Sequence, residues 1–272
     1  MKVQLSGRLG NQLFEIAHGF GRSNLNSKNP KFIWDIYSYP KGLSRDLLDV
    51  PGINLRRDNA YGLLFKCLDK LRGYSKLAET TLCKILRIER EHNQERFSQP
   101  KVITGYFQDF HWAEKSYSKL SEILSSMAAL YELSQIEEKI PSKYQVFHYR
   151  SGDYLNHPAN FGVLSREYYL HNMDQNLPVV VVTDSLDMAK KNFENIRDIY
   201  FVDPENSNPW QAIIIMSRAT HVVSSNSTLS WWGAFFAMKS GGTAVLPDPF
   251  FANKNPVQLY HPVFKKSEAL FD

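Results

Sequence analysis

Short apolar runs alternate along the chain with longer segments in which apolar residues recur at helical spacing. The first run is Val3 to Leu5. It passes through a turn with two glycines into a segment where Leu13, Ala17 and Phe20 fall on one helical face. A strand, a glycine turn and a helix in this order predict the start of an α/β domain.

The same alternation predicts the rest of the fold. Further strands are expected at residues 32–36, 102–107, 145–149, 179–183, 200–202, 221–224 and 244–246. Helices are expected over residues 61–90, in two parts that break near Gly73, and over 114–139, 165–175, 186–194, 209–218 and 230–238. Strands that alternate with helices at short spacing predict two Rossmann-like α/β domains with mainly parallel sheets facing a cleft. Pro141 ends a helical stretch, so we expect domains at 1–141 and 142–272.

Composition supports a folded protein of this size. The 272 residues are 43% hydrophobic and 22% charged, which excludes a disordered or fibrous chain. Only two cysteines occur, so we expect neither a disulfide framework nor a cysteine metal cluster, and we expect a reducing, cytoplasmic compartment. Apolar runs are much shorter than the roughly 20 residues that a membrane span needs. We therefore expect a soluble protein, or one peripheral to an inner membrane.

The net charge of +4 is unevenly distributed. Residues 56–101 contain 11 basic and 6 acidic residues, an excess of +5, which leaves −1 for the rest of the chain. We expect these basic residues to form a solvated face. The alternative is a surface that approaches a lipid-diphosphate acceptor or an anionic membrane. The charge is too small, and the motifs are absent, for a nucleic-acid-binding protein.

The turn Gly7–Gln12 (GRLGNQ) follows the first strand. Its glycines allow a ligand to approach the backbone, and the helix that follows offers N–H groups to an anion. The alternative is that Asn11 only caps this helix.

A second polar turn follows the strand at residues 145–149. Arg150 lies where that strand ends, which is where ligands bind to open α/β sheets, and its planar guanidinium suits a phosphate. The alternative is a surface ion pair between Arg150 and Asp153, which would contribute little to stability.

Two more strand ends carry polar groups. Asp184 follows four consecutive valines and suits a ribose or a base edge, although capping the next helix explains it equally well. The turn Ser224–Ser230 (SSNSTLS) is rich in hydroxyl and amide groups and precedes a helix, which predicts a second anion cradle. The alternative is a capped helix with Trp231 and Trp232 in the core. Neither an Asp-x-Asp motif nor histidines at metal-ligand spacing occur, so we expect no divalent metal.

Taken together, these segments resemble the α-1,2-fucosyltransferases of glycosyltransferase family eleven, in their bacterial form. The resemblance covers most of the chain. Its motifs are Gly7–Phe14 (GRLGNQLF), Gly105–Gln108 (GYFQ), His148–Tyr154 (HYRSGDY), Leu164–Tyr169 (LSREYY), Thr183–Asp184 and Asn226–Trp232 (NSTLSWW).

The resemblance implies a GT-B-like fold and transfer of L-fucose from GDP-β-L-fucose to the 2-hydroxyl of a terminal galactose. It implies inversion, no cofactor and no metal. The acceptor would be a galactose-terminated oligosaccharide or a lipid-linked glycan of a surface polysaccharide. The N-terminal domain would face this acceptor and the C-terminal domain would hold GDP-fucose. The donor-binding residues it implies are Arg8, Gly10, Asn11, His148, Arg150, Asp184, Asn226, Ser227, Thr228 and Ser230.

Two roles in catalysis are expected. Arg150 would neutralise charge on the leaving diphosphate, and Asp153 would act as the base, since it lies three residues further along the same strand end. Asp153 has the alternative role of orienting Arg150. The sequence departs from the family at Ser151, where a second arginine is usual, and in its first loop, which reads Ser-Gly-Arg rather than Gly-Gly. We expect the donor site to survive with Arg150 alone.

Two rival functions remain open. An α-1,6-fucosyltransferase shares the His-x-Arg region. A non-catalytic carbohydrate- or nucleotide-binding protein would instead use aromatic residues to stack on sugar rings. The residues available for stacking are Trp112, Trp210, Trp231 and Trp232.

Overall fold

The structure is a computed structural model, and it describes residues 1–23, 29–36, 50–93, 96–131 and 140–272, without the side chain of Asp153. The chain forms two compact units, Met1–Ser126 and Met127–Asp272. The division lies earlier than the expected boundary at 141/142. Pro141 marks where a helical sequence pattern ends, and the end of a helix need not be the point where contacts separate.

The first unit is an α/β sandwich. Its strands are β1 (Lys2–Gln4), β2 (Lys31–Trp34), β3 (Leu55–Arg57), β4 (Ile88–Arg90) and β5 (Val102–Thr104). Its helices are α1 (Leu9–Ser23), α2 (Asn59–Tyr74), α3 (Lys76–Leu86), α4 (Phe110–Lys115) and α5 (Tyr117–Leu130), the last of which continues into the second unit. All strand pairs are parallel, in the order β3-β2-β1-β5-β4.

Helices cover both faces of this sheet. On one face, Phe65 and Leu68 of α2 and Cys83 of α3 pack against Ile33 and Val102. On the other face lies α1, and α4 packs against it. Because β3 and β4 are opposite edges of the sheet, the α2–α3 pair crosses one whole face between them.

The second unit has a six-stranded, entirely parallel sheet. Its strands are β6 (Gln145–Tyr149), β7 (Val179–Thr183), β8 (Ile199–Val202), β9 (His221–Val223), β10 (Thr243–Asp248) and β11 (Lys265–Glu268). Its helices are α6 (Pro158–Phe161), α7 (Arg166–His171), α8 (Leu186–Phe193), α9 (Pro209–Ser217) and α10 (Thr228–Lys239), with 3₁₀ turns at Asp153–Asn156 and Val257–Leu259.

The strand order of the second sheet is β11-β10-β9-β6-β7-β8. Numbered within the unit and read from β8, this is 3-2-1-4-5-6, the Rossmann order. The order reverses between β6 and β9, and ligands of such sheets bind outside the carboxyl ends of the strands at that reversal. Two parallel α/β units confirm the expected GT-B-like class.

The sequence pattern missed three strands, β3, β4 and β11, and all three are sheet edges. Their sequences, LRR, IER and KKSE, are short and charged, without the apolar alternation that identifies a half-buried strand. The charged side chains of β3 and β11 are exposed, as is typical of edge strands because such charges oppose pairing with another sheet, whereas Glu89 and Arg90 of β4 are buried. Of the helices in the described ranges, none is long and apolar enough to span a membrane.

Candidate active site

The end of β6 and the end of β9 meet at the reversal point of the second sheet. Arg150 follows β6 directly, and its side chain is only 12% exposed. Its guanidinium lies 3.2 Å from the carboxylate of Asp184, at the end of β7, and 5.3 Å from the centre of the Tyr154 ring. Arg150 is therefore a largely buried cation that pairs with Asp184.

Asp184 shapes the turn that carries Arg150. Its Oδ1 accepts hydrogen bonds from the backbone N–H groups of Ser151 (3.0 Å) and Gly152 (3.3 Å). A Cβ atom on residue 152 would lie 2.3 Å from Asp184 Oδ2, so this approach requires glycine. The cap of α8 is Ser185, not Asp184. Asp184 therefore acts on the Arg150 turn, which neither sequence-based interpretation predicted.

His148 and the serines after β9 form one buried network. His148 Nδ1 lies 2.7 Å from Ser225 Oγ, and Ser225 and Ser224 both lie within hydrogen-bond distance of Ser230 Oγ. Burial, with the nearby charge of Arg150, lowers the pKa of His148 to about 4, so its ring is neutral at pH 7. Ser230 is fully buried and also hydrogen-bonds to Ser227 O. Its hydroxyl builds the turn, whereas the expected contact with phosphate stays a prediction.

The turn after β9 leads into the N-terminus of α10. Ser227 caps this 12-residue helix by accepting a hydrogen bond from Leu229 N. Thr228 is half-buried, whereas Asn226 is fully buried and donates to the carbonyls of Phe161 and Gly162. The turn thus presents an ordered helix N-terminus beside Arg150's strand, an arrangement that favours anions.

Tyrosines that the sequence argument gave no role hold these strand ends together. Tyr154 donates to the carbonyl of Asn226 at 3.0 Å, Tyr168 to that of Ser224 at 3.0 Å, and Tyr169 to that of His148 at 2.8 Å. Tyr168 and Tyr169 are fully buried, and burial raises the pKa of both hydroxyls. The apolar pattern of α7 identifies them only as core residues, so the hydrogen bonds could not be predicted.

The first unit also has a polar strand end. Gly7 has φ +72°, and a Cβ there would lie 2.8 Å from Asn11 Nδ2. Asn11 is the third residue of α1 rather than its cap, and its Oδ1 accepts a hydrogen bond from Gln108 at 3.0 Å. Gly10 is buried in α1 and Arg8 is exposed before it. The glycine turn and the Gly105–Gln108 motif therefore meet, as neighbours at the ends of β1 and β5.

Carboxylates support this strand end too. Glu15 accepts hydrogen bonds from the N–H and the hydroxyl of Ser6, at 2.7 and 2.6 Å. Glu91 accepts from the N–H groups of Tyr106 (2.9 Å) and Phe107 (2.8 Å). Complete burial raises the pKa of Glu15 well above its ordinary value. Neither carboxylate was anticipated, because nothing in the local pattern distinguishes them from ordinary helix or loop residues.

Three of the four tryptophans considered for stacking on sugar rings are buried in the core. Trp210, Trp231 and Trp232 are at most 1% exposed, and Trp231 Nε1 donates to Leu259 O at 2.7 Å. Trp112 stacks on His18 with ring centres 4.5 Å apart. Trp210, Trp231 and Trp232 are therefore not accessible to a sugar ring, whereas Trp112 is half-buried.

In the described part of the chain, no three His, Cys, Asp or Glu residues are arranged to hold a metal ion. The side chain of Asp153, the expected base, lies outside what the structure describes.

Comparison with known proteins assigns the family. The model described as "Glycosyl transferase family 11" matches residues 78–257, which is more than half of the chain. The chain belongs to glycosyl transferase family 11. It is a glycosyltransferase, and the matched region contains Arg150, Asp184 and the turn after β9.

Two curated relatives match different shares of the chain. An alpha-1,2-colitosyltransferase of Escherichia coli is 24% identical over 92% of this chain and 91% of its own length. The O-antigen biosynthesis glycosyltransferase WbnK of Escherichia coli is 30% identical over 41% of this chain and 40% of its own. Among solved structures, fucosyltransferase NodZ from Bradyrhizobium has a TM-score of 0.47 and 10% identity, covering 86% of this chain and 92% of NodZ.

Proposed function

We propose that this family 11 glycosyltransferase moves L-fucose from GDP-β-L-fucose to the 2-hydroxyl of a terminal galactose. The reaction inverts the anomeric carbon and needs neither a cofactor nor a divalent metal. The acceptor is a galactose-terminated oligosaccharide or a lipid-linked glycan, in O-antigen-like surface polysaccharide synthesis. The sequence motifs and the names of the two Escherichia coli relatives support this proposal. We propose that the enzyme acts in the cytoplasm, as a peripheral protein at the inner membrane.

Arg150 is the observation that carries the proposal. Negative charge develops on the diphosphate as the sugar leaves, and a fixed guanidinium stabilises it without reorganising. The Asp184 carboxylate and the Tyr154 ring hold this guanidinium where a Rossmann sheet binds nucleotides. A planar fork donates two parallel N–H bonds to a phosphate, which an ammonium does not.

The turn after β9 supplies further donors. The first N–H groups of α10 and the hydroxyls of Ser227 and Thr228 act on the diphosphate, and Asn226 keeps the turn in place through Phe161 and Gly162. Neutral His148, fixed by Ser225, contributes to the nucleoside pocket without adding charge. In the first unit, Arg8, Gly10 and Asn11 contribute donor contacts.

Asp153 is our candidate for the base that removes the acceptor proton. Its backbone lies in the 3₁₀ turn that follows Arg150 and Gly152, so it belongs to the same strand end. An Asp153→Asn variant that keeps normal turnover across pH would remove this role. In that case the acceptor proton leaves late, to the departing phosphate or to solvent.

A second donor has support from the comparisons. The relative that matches nearly the whole chain is named for colitose, so colitose from its GDP-activated form is the alternative sugar. The alternative linkage is α-1,6, because the α-1,6-fucosyltransferases share the His-x-Arg segment. Both alternatives retain Arg150 as the diphosphate partner.

The test is mass spectrometry of the protein with equal amounts of GDP-fucose and GDP-colitose and a β-galactoside acceptor, in EDTA. A product heavier by one fucose residue, with NMR showing substitution at the galactose 2-hydroxyl, supports the proposal. A colitosylated product would show that the donor is GDP-colitose. Substitution at the 6-hydroxyl would show that the linkage is α-1,6.

Two further outcomes separate the acceptor from the reaction. Release of GDP without a fucosylated product keeps the donor and rejects the acceptor, and lipid-linked galactosides are tested next. Absence of both products, together with tight GDP binding measured by calorimetry, favours the non-catalytic binding protein.

A further inference from the structure

The helix pair α2–α3 turns one side to the sheet and the other to solvent. Phe65, Leu68 and Cys83 lie in the core, together with Ile33 and Ile88 of the sheet. Ser75 joins the two helices and caps α3 by accepting a hydrogen bond from Ala78 N. The inner sides of both helices therefore pack into one core. This packing also fixes which residues of the two helices face outward.

Large apolar side chains occupy the outer side. Leu63, Tyr74, Leu77 and Ile85 are 53%, 81%, 77% and 71% exposed. Leu63 and Tyr74 are three helical turns apart on α2, and Leu77 and Ile85 are eight residues apart on α3, spacings that place each pair on one helical face. A helix face that is only solvated carries polar residues at these positions.

The charges between these residues are mainly positive. Lys66, Lys70, Lys76 and Lys84 are exposed on α2 and α3, as is Arg87 directly after α3. The two acidic residues of the pair face Arg90: Asp69 forms an ion pair with it, and Glu79, fully buried, lies 3.2 Å from its guanidinium. The positive charge thus points outward and the negative charge is largely neutralised.

We propose that this outer face, formed by Leu63, Tyr74, Leu77 and Ile85 with the surrounding lysines, docks on an anionic membrane surface. Apolar side chains enter the boundary between headgroups and acyl chains, and lysines lie at the level of lipid phosphates. A second copy of the chain fits this face poorly, because two equally cationic surfaces repel each other. If the acceptor is lipid-linked, as the proposed function allows, docking brings the enzyme to the surface that holds it.

Cys67 provides a probe within the outer face. It lies on α2 between Lys66 and Lys70 on the exposed side, whereas Cys83, the only other cysteine, is buried. Burial and the neighbouring Glu79 raise the pKa of the Cys83 thiol to about 12, so a maleimide dye reacts at Cys67. The dye emission reports whether this helix enters a less polar environment.

The experiment mixes the dye-labelled full chain with vesicles of phosphatidylcholine, with or without phosphatidylglycerol, at low and at high salt. We expect a blue shift and co-sedimentation only with phosphatidylglycerol, weakened by salt. Because the readout is binding, a failure here leaves the proposed reaction untouched, and failure of the reaction leaves docking untouched.

Matched variants assign the surface. Lys70→Glu with Lys76→Glu is expected to lower vesicle affinity by about 25-fold or more, at about fivefold for each lysine lost. Lys190→Glu with Lys191→Glu, on α8 of the second unit, changes net charge equally and is expected to leave affinity nearly unchanged.

The apolar contribution has its own pair of variants. Tyr74→Ser with Leu77→Ser is expected to lower affinity at least about tenfold. Val257→Ser with Val263→Ser, at 64% and 60% exposed positions elsewhere, is the control.

Three results would overturn the proposal. They are binding to pure phosphatidylcholine as strong as to the anionic vesicles, equal losses in the α2–α3 variants and their controls, or no binding at low salt. Concentration-dependent self-association that Tyr74→Ser with Leu77→Ser abolishes would assign the face to a second copy instead.

Discussion

The two units end their central strands in similar turns with different charge. In both, carboxylates accept backbone N–H groups and so shape the turn: Glu15 and Glu91 in the first unit, Asp184 in the second. In the second unit the carboxylate also pairs with Arg150, which leaves a fixed cation at the edge. In the first unit, burial instead raises the pKa of Glu15. In both units a carboxylate therefore shapes a polar turn, and in the second unit it also positions an arginine.

The largest effect is expected at Arg150. Arg150→Ala removes the cation that compensates the leaving diphosphate, and turnover should fall at least about 100-fold. Arg150→Lys should not restore it, because the forked geometry is lost. Steady-state kinetics with GDP-fucose measures both variants. Arg197→Ala, at an exposed arginine of the same unit, is the control, and an Arg150→Ala enzyme as active as this control would contradict the assignment.

The two buried histidines differ in their surroundings: His18 packs among aromatic rings, whereas His148 lies in the candidate site. Burial lowers the pKa of His18 to about 3 and that of His148 to about 4. An unfolded histidine titrates near 6.5, so below that pH the unfolded chain binds a proton that the native ring refuses. Stability is therefore lost as pH falls from about 6.5 towards these lowered values. Between pH 7 and pH 5, each ring should lower the free energy of unfolding by about 2 kcal/mol.

Phenylalanine at each position distinguishes the two rings. Neither nitrogen of His18 has a hydrogen-bond partner among the described residues, since the ring lies between Phe107 and Trp112. His18→Phe should therefore remove the roughly 2 kcal/mol of acid sensitivity that His18 contributes, without loss of stability at pH 7. His148→Phe should also reduce the sensitivity but destabilise at pH 7 by about 1–2 kcal/mol, because Ser225 loses its partner.

Hydrogen exchange of peptides from α1 and β6, corrected for intrinsic rates, measures these changes at both pH values. Equal behaviour of the two variants at pH 7 would show that the bond to Ser225 contributes nothing. An unchanged acid sensitivity in His18→Phe would show that His18 is protonated in the native state.

A variant at Asp184 tests whether its carboxylate positions Arg150. Asp184→Asn keeps an oxygen for Ser151 N and Gly152 N but removes the charge that Arg150 pairs with, so turnover should fall about tenfold, with less effect on stability. Asp187→Asn, exposed on the next helix, is the control. A changed KM for GDP-fucose with unchanged kcat would instead indicate that Asp184 contacts the nucleoside directly.

Motifs at strand ends were predictable from sequence, but the bonds between them were not. β6 and β7 match their predicted residues, and in β7 four consecutive valines identify a buried parallel strand. Arg150, Asp184 and the turn after β9 were each found directly after a predicted strand. Their arrangement depends on strand order, which places β9 beside β6 although about 70 residues separate them in sequence.

Edge strands and buried carboxylates could not be predicted, because their local sequence carries no clear signal. The charges in β4 weaken the apolar alternation, while Glu15 lies within a helical pattern that gives no sign of its bonds to Ser6. Only tertiary contacts give such residues their roles.

The smallest expected effect isolates the close approach at the first unit's turn. Gly7→Ala places a Cβ at φ +72° and 2.8 Å from Asn11 Nδ2, whereas Gly52→Ala has a similar φ of +80° with nothing within 4 Å. Both variants incur the left-handed backbone penalty of about 1–2 kcal/mol. Gly7→Ala should be less stable by a further ~1 kcal/mol, because Asn11 must move and its bond to Gln108 is disturbed. Hydrogen exchange of α1 peptides measures the difference. Equal stability of the two variants would mean that the turn adapts, so that backbone conformation alone explains glycine at residue 7.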